Sequence, residues 1–263
     1  MINRFPTKLN SLSHIKAFLN NEISTIIDVG ILTSTLDLMR VFKKQKHILI
    51  EPLKEYFDVI KKNYANANID YKLLKLAASN KKGKQFLETQ NHRPSLGDKF
   101  GGVTASNLVF SDKVNPNKSN GVTVKTDTLD NIKRLSSGPF LIKIDVDGAE
   151  FEILEGLQDI KDVFVIVVES WVSRIADFQS VMDKKGFDLY DVTDLAYFRG
   201  QLSQVDLIFI NKNLTNNEKY PDISPRAFGH TSALDGNIIG FKEDGLEKNI
   251  ERFQSIAVHG KID

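Results

Sequence analysis

The chain has 263 residues, with 35 Lys and Arg against 34 Asp and Glu, and this near-zero net charge of +1 removes the electrostatic case for nucleic acid or an anionic membrane surface as partner. Cysteine is absent, which excludes disulfides, thiolate catalysis and cysteine-ligated metals and fits a cytoplasmic setting. At 41% hydrophobic and 26% charged residues the composition is that of an ordinary globular domain, no run approaches the ~18 apolar residues of a membrane span, and the opening residues lack the apolar core of a signal peptide.

In chain order, helical spacing covers residues 11–20, and Thr25–Val29 reads as a short buried strand ending at Gly30. A helix over 33–43, a strand His47–Glu51 and a helix Lys54–Ala65 follow. Tyr71–Ala78 and Lys84–Thr89 read as two strands joined by a turn at Asn80–Gly83. Residues 90–121 are rich in Asn, Ser, Gly and Pro and read as a long irregular insert of the kind that forms lids and binding loops. Regular structure returns with a strand Val122–Lys125 and a helix Leu129–Leu135, then a strand Phe140–Ile144 and a helix Ala149–Leu157. A strand Val163–Val168, a helix Arg174–Lys185 and two strands, Phe187–Val192 and Val205–Ile210, complete the pattern. Alternating strands and helices predict a mostly parallel sheet with helices on both faces, and the last two strands, with no helix between them, predict a hairpin and one antiparallel strand. The expected organisation is a helical segment over 1–24, one domain over 25–212, and a tail or cap over 213–263.

The chemistry collects where strands end. Open α/β sheets bind ligands beyond the carboxyl ends of their strands. Asp28 and Gly30 close the first strand, where Asp28 can take a ligand ammonium and Gly30 permits close backbone approach. Glu51 closes the second, placed to accept hydrogen bonds from both hydroxyls of a ribose. The loop Gly30-Ile-Leu-Thr-Ser-Thr35 has one glycine and no basic residue, which disfavours NAD and ATP and favours a cofactor with an amine and no phosphate.

After Phe140–Ile144, Asp145 and Asp147 bracket a polar turn. Asp145 is expected to orient or deprotonate an acceptor hydroxyl, and Asp147 to cap the following helix; a divalent cation on the two is the weaker reading, because no third ligand accompanies them. Glu150 suits the first turn of that helix. Lys143, inside an apolar strand, requires a carboxylate partner, with Asp28 and Glu169 the candidates. Glu169 and Trp171 end another strand and are placed to bind acceptor hydroxyls and stack on a sugar ring. His92, in the insert, is the histidine best placed to act as general base.

Taken together, Ile27-Asp-Val-Gly30, Ile50-Glu-Pro52, Ala77-Ala-Ser79, Thr126-Asp-Thr-Leu-Asp130, Leu141-Ile-Lys-Ile-Asp-Val-Asp-Gly-Ala-Glu150, Val167-Val-Glu169, Gly186-Phe187 and Asp206-Leu-Ile-Phe209 resemble the FkbM family of S-adenosylmethionine-dependent methyltransferases. The resemblance implies a Rossmann-like class I methyltransferase fold, with a seven-stranded sheet whose last strand is antiparallel. It implies O-methylation of a sugar, glycoconjugate or secondary-metabolite hydroxyl, with a small-molecule or glycan acceptor. By matched position, Asp28 and Gly30 would hold the methionine part, Glu51 the ribose, and Ala77 and Ala78 the adenine, with the small Ser34 also at the cofactor and Asp145 facing the methionine end and the reaction centre. One departure stands out: where the family carries Asp-Val-Gly-Ala-Asn-x-Gly, this chain has Leu32 and Ser34 for the Asn and the second Gly. That departure keeps a second reading alive, in which a degenerate fold serves as a binding or scaffold module.

Overall fold

A computed structural model describes residues 7–90, 105–109, 121–215, 217, 219 and 220. The helices are α1 (Lys8–Phe18), α2 (Leu36–Val41), α3 (Phe57–Ala67), α4 (Leu129–Lys133), α5 (Glu150–Glu155), α6 (Ile175–Lys184) and α7 (Lys212–Thr215), with 3-10 turns at Lys54–Tyr56 and Val172–Arg174. The strands are β1 (Thr25–Val29), β2 (Lys46–Ile50), β3 (Tyr71–Leu74), β4 (Ala77–Ala78), β5 (Gly83–Gln90), β6 (Ala105–Val109), β7 (Gly121–Asp127), β8 (Phe140–Ile144), β9 (Val163–Trp171), β10 (Phe187–Phe198) and β11 (Gln201–Asn211).

Seven strands form the main sheet in the order β10-β11-β9-β8-β1-β2-β3. Strands β3, β2, β1, β8 and β9 pair in parallel, and β11 runs antiparallel to both β9 and β10. This is the mostly parallel sheet with one antiparallel strand that the sequence predicts. Both faces of β1 and β8 are covered, so these strands read as continuous apolar runs interrupted only by Asp28 and Lys143. One face packs Ile27, Ile142 and Ile166 against α4, α5 and α6; the other packs Ile26, Leu141 and Val165 against α1 and α2. A third cluster joins α3 to Leu49 and to Leu87 and Val124 of a second sheet. Each fully buried aliphatic chain contributes roughly 1.5–3 kcal/mol, so three such clusters hold the layers together.

Three expectations need correction. Residues 71–78 do not form one strand: β3 pairs with β2, whereas Ala77 and Ala78 pair with Thr126 and Asp127 of β7 in a separate four-stranded sheet, β4-β7-β5-β6. An alternating pattern does not say which partner supplies its hydrogen bonds, so the change of sheet leaves no mark in the sequence. The insert is not wholly irregular either, because Ala105–Val109 forms β6 and pairs antiparallel with β5; the rest of 91–120 lies outside the described residues, as does most of the tail. The final hairpin is longer than predicted, turning at Arg199 and Gly200, both left-handed (φ 51° and 81°), the geometry that two-residue hairpin turns favour.

The loop after β1 carries the chain's departure from the family pattern. Leu32 sits at φ 54°, with its side chain 43% exposed. A left-handed conformation strains a branched apolar residue and suits Asn, the residue the family has there. Ser34 is not among the positive-φ residues, so its backbone does not call for glycine. Leu32→Asn is therefore expected to stabilise the fold by ~0.5–1 kcal/mol in chemical denaturation; an unchanged or lowered midpoint would contradict this account of the loop.

Candidate active site

The carboxyl ends of β1, β2, β8 and β9 converge on a cavity of about 550 Å³, within the ~300–1,000 Å³ range of small-molecule sites. Its base is set by a close approach of two strand ends. The Gly30 amide donates to the Ile50 carbonyl (3.1 Å) and the Asp145 amide to the Val29 carbonyl (3.1 Å). A Cβ on Gly30 would lie 1.8 Å from the Asp145 carbonyl oxygen, and φ is 76°. Glycine is thus demanded by the neighbouring strand rather than by a ligand.

Glu51, at the end of β2, is 4% exposed. Its Oε1 accepts from the Leu53 amide (2.9 Å) and its Oε2 from the Leu32 amide (3.0 Å). Burial pushes this carboxyl up to about 7, against the pull of those two amides. Each oxygen retains acceptor capacity for a ligand hydroxyl. Ala77, Ala78, Leu53 and Leu87 form an apolar stretch of the same wall. Gly30, Ser34, Glu51, Ala77, Ala78 and Asp145, all expected at the cofactor, therefore line one cavity.

Asp28 does not line it. Its side chain is fully buried, and neither carboxylate oxygen has a hydrogen-bond partner among the described residues. The compensating charge is Lys143, its register neighbour on β8, whose Nζ lies 3.7 Å from Asp28 Oδ1 and 2.8 Å from Asp145 Oδ2. Burial alone would depress the Lys143 ammonium, but Asp145 and Asp28 together hold its pKa above the ordinary value. Asp28 is thus one of the two partners expected for Lys143; the other is Asp145 rather than Glu169.

Asp145 and Glu169 follow the register partners Ile144 and Val168 on neighbouring strands and line the same cavity wall. Their environments separate them. Burial opposes ionisation of Asp145, yet Lys143 holds its carboxyl below the ordinary range. Burial, then the charges of Asp145 and Asp206, push Glu169 up to about 8. At neutral pH the pair shares one proton, carried by Glu169, the arrangement that divides acid and base roles between two carboxyls.

Asp147 is not the N-cap residue of α5: that position is Ala149, without a side-chain cap, and Asp147 lies two residues before it at φ 55°. The turn is instead held by Glu150, whose Oε1 accepts from the Gly148 amide (2.8 Å), in keeping with its expected structural role. Trp171, 52% exposed, ends β9 near Glu169, so core packing does not account for it. His92 lies outside the described residues. Among the described residues no group of three His, Cys, Asp or Glu is arranged to hold a metal ion, and no helix is long and apolar enough to cross a membrane.

Several residues of the site were not expected, among them Leu53 and Leu87 of the apolar stretch. Lys8 and Gln204 line the cavity, and Asp206, beside Glu169, bonds the Lys8 ammonium. An acid inside the apolar strand Val205–Ile210 is the signal that could have revealed Asp206.

The sequence matches the description "Methyltransferase FkbM domain" over residues 20–195. A comparison with curated proteins finds no match. Among solved structures the fold is similar to an rRNA methylase from Streptococcus thermophilus (9% identity, 80% of this chain and 98% of that one, TM-score 0.44). It is also similar to precorrin-6y C5,15-methyltransferase from Geobacter metallireducens GS-15 (11% identity, 80% and 90%, TM-score 0.39). A third likeness is to magnesium protoporphyrin IX methyltransferase from Synechocystis PCC 6803 with bound SAM (6% identity, 77% and 79%, TM-score 0.41). Scores this low bear on neither substrate nor chemistry. With most of its length matched and the strand order described above, the chain belongs to the FkbM family of S-adenosylmethionine-dependent methyltransferases.

Proposed function

We propose that this methyltransferase acts on oxygen, transferring its methyl to a hydroxyl of a neutral sugar, glycoconjugate or secondary metabolite. The observation that carries the reading is the pair of neighbouring carboxyls, Asp145 and Glu169, on the cavity wall, flanked by Gln204 and the half-exposed Trp171. Carboxylates and an amide beside an exposed indole suit a polyhydroxylated ring, and the excess of acidic groups disfavours an anionic acceptor.

The residues present fit S-adenosylmethionine. Glu51 would hold the ribose hydroxyls, the apolar stretch at Ala77, Ala78, Leu53 and Leu87 the adenine, and Asp145 with Lys143 the charged methionine end. When bound, the cofactor supplies an electrophilic methyl on a sulfonium. Lys143 keeps Asp145 ionised toward that cation. Glu169 holds the acceptor hydroxyl and, once it has released its own proton beside the bound cation, takes that of the hydroxyl, while the cavity walls fix the in-line approach that supplies most of the rate. The open cavity and the ordinary backbone of Ser34 support this reading over that of a degenerate scaffold.

Two outcomes follow. Calorimetric titration with S-adenosylhomocysteine should give saturable binding that weakens ~10–100-fold in Glu51→Ala, the value of lost hydrogen bonds to a charged group; equal affinity in the variant would remove Glu51 from the site. The second concerns Glu169, whose carboxyl is higher in the folded chain (about 8) than its ordinary value of 4.5. The folded state therefore binds the extra proton, and this contribution to stability is complete below pH 4.5 and lost as pH rises through about 8. Denaturation between pH 7 and 9, above the range in which the Glu51 carboxyl contributes most, should show this decline, at a slope approaching ~1.4 kcal/mol per pH unit for one proton, and Glu169→Gln should reduce it. An identical slope in the variant would contradict the shared proton.

A further inference from the structure

The family match begins at residue 20, yet α1, which ends at Phe18, reaches the cavity. The Lys8 side chain is 10% exposed; its ammonium bonds Asp206 and lies 3.0 Å from Asp194. The Lys8 amide donates to Asp194 (3.1 Å), and the Ser11 hydroxyl donates to Asp191. Three acids of the β10–β11 hairpin are thereby tied to one end of a helix.

Apolar contacts of Leu12, Ile15 and Leu19 already dock α1, and a buried ion pair adds little stability beyond what an apolar pair of similar size would give. The position of the charge is more informative. Asp206 stands directly opposite Glu169 in the β11–β9 register, where two like charges repel. The other charges near Glu169 are Lys143 of β8, Asp145 and Asp147 from the turn that follows it, Glu150 of α5 and Arg174 of the 3-10 turn. Lys143 is engaged by Asp145 and Asp28. On the hairpin side, the cation bonded to Asp206 is Lys8.

We propose that Lys8 is a positioning residue for proton transfer: by neutralising Asp206 across from Glu169 it lets Glu169 release its proton at the reaction centre, so that the docked α1 helix completes the active site. This rests on the reading of Glu169 as the proton acceptor.

The test needs neither cofactor nor acceptor. Carboxyl 13C titration of the glutamate-labelled full chain, with Glu169 assigned by its loss in Glu169→Gln, reads the group directly. Lys8→Met should raise the Glu169 midpoint by ~0.5–1 unit, as expected for unmasking one nearby like charge. Adding Asp206→Asn should return it to within ~0.3 unit of the wild type, since the charge that Lys8 cancels is then gone. A midpoint unmoved by Lys8→Met, or still raised in the double variant, overturns the proposal. If Lys8→Met does not fold, Asp206→Asn and the double variant, which leaves neither charge of the pair, carry the comparison: a higher midpoint in the double supports a role for the Lys8 charge, and equal midpoints overturn it. A wild-type midpoint in the ordinary glutamate range would contradict the proton held by the Asp145–Glu169 pair, and with it the reading of the site on which this inference rests. A raised midpoint independent of Lys8 would contradict this inference alone.

Discussion

The Lys143 ammonium, fixed between Asp28 and Asp145, is the interaction on which the site depends. Two adjacent strands at the centre of a parallel sheet each carry one charge where every neighbour is apolar. Asp28 alone would cost several kcal/mol to bury, and Lys143, its register neighbour on β8, supplies the compensating charge. The pairing does more than compensate. It points a buried cation toward the cavity end of the sheet and keeps Asp145 ionised, which leaves the proton of the carboxylate pair on Glu169. A structural requirement of the sheet and the charge state of the cavity wall are thus the same arrangement.

From this centre the charges extend in both directions. Asp28 lies behind Lys143 in the core, and Asp206 with Lys8 lies beyond Glu169 toward the final hairpin and the first helix. Sites built on the ends of central strands hold their geometry through the core packing beneath them. Gly30 shows how tight that packing is, because no side chain fits between it and the Asp145 carbonyl. The cavity therefore inherits its shape from strand-to-strand contact, with Glu51 securing the loop above through the Leu32 amide.

Much of this was legible in the sequence because charges inside buried strands are costly and conspicuous. Asp28, Lys143 and Glu51 announce themselves against apolar surroundings, and Phe140–Ile144 was delimited to the residue. The pairing of Lys143 with Asp28 follows from the same reasoning. What sequence could not reveal was geometry that depends on distant segments. Nothing in Ala77–Ala78 indicates departure to a second sheet, and Lys8 looks like any solvated lysine at a helix start until the hairpin folds against it. Asp28 was placed at the ligand because its strand position is right; the structure puts a protein ammonium beside it instead. The role expected of Gly30 had a comparable outcome: glycine is required, but for a contact between strand ends 115 residues apart in the chain, Gly30 and Asp145.

The central claim is that the site meets a cationic cofactor with a carboxylate pair holding one proton. Calorimetric binding near pH 7.5, in two buffers of different ionisation enthalpy, counts the protons exchanged. Comparing S-adenosylmethionine with S-adenosylhomocysteine cancels the ribose contact at Glu51 and leaves the sulfonium charge. Beside that cation Glu169 should ionise more readily, so the methyl-bearing form is expected to release roughly half a proton more than the product. The difference should vanish in Glu169→Gln. Equal proton release for the two ligands in the wild-type protein would contradict the account.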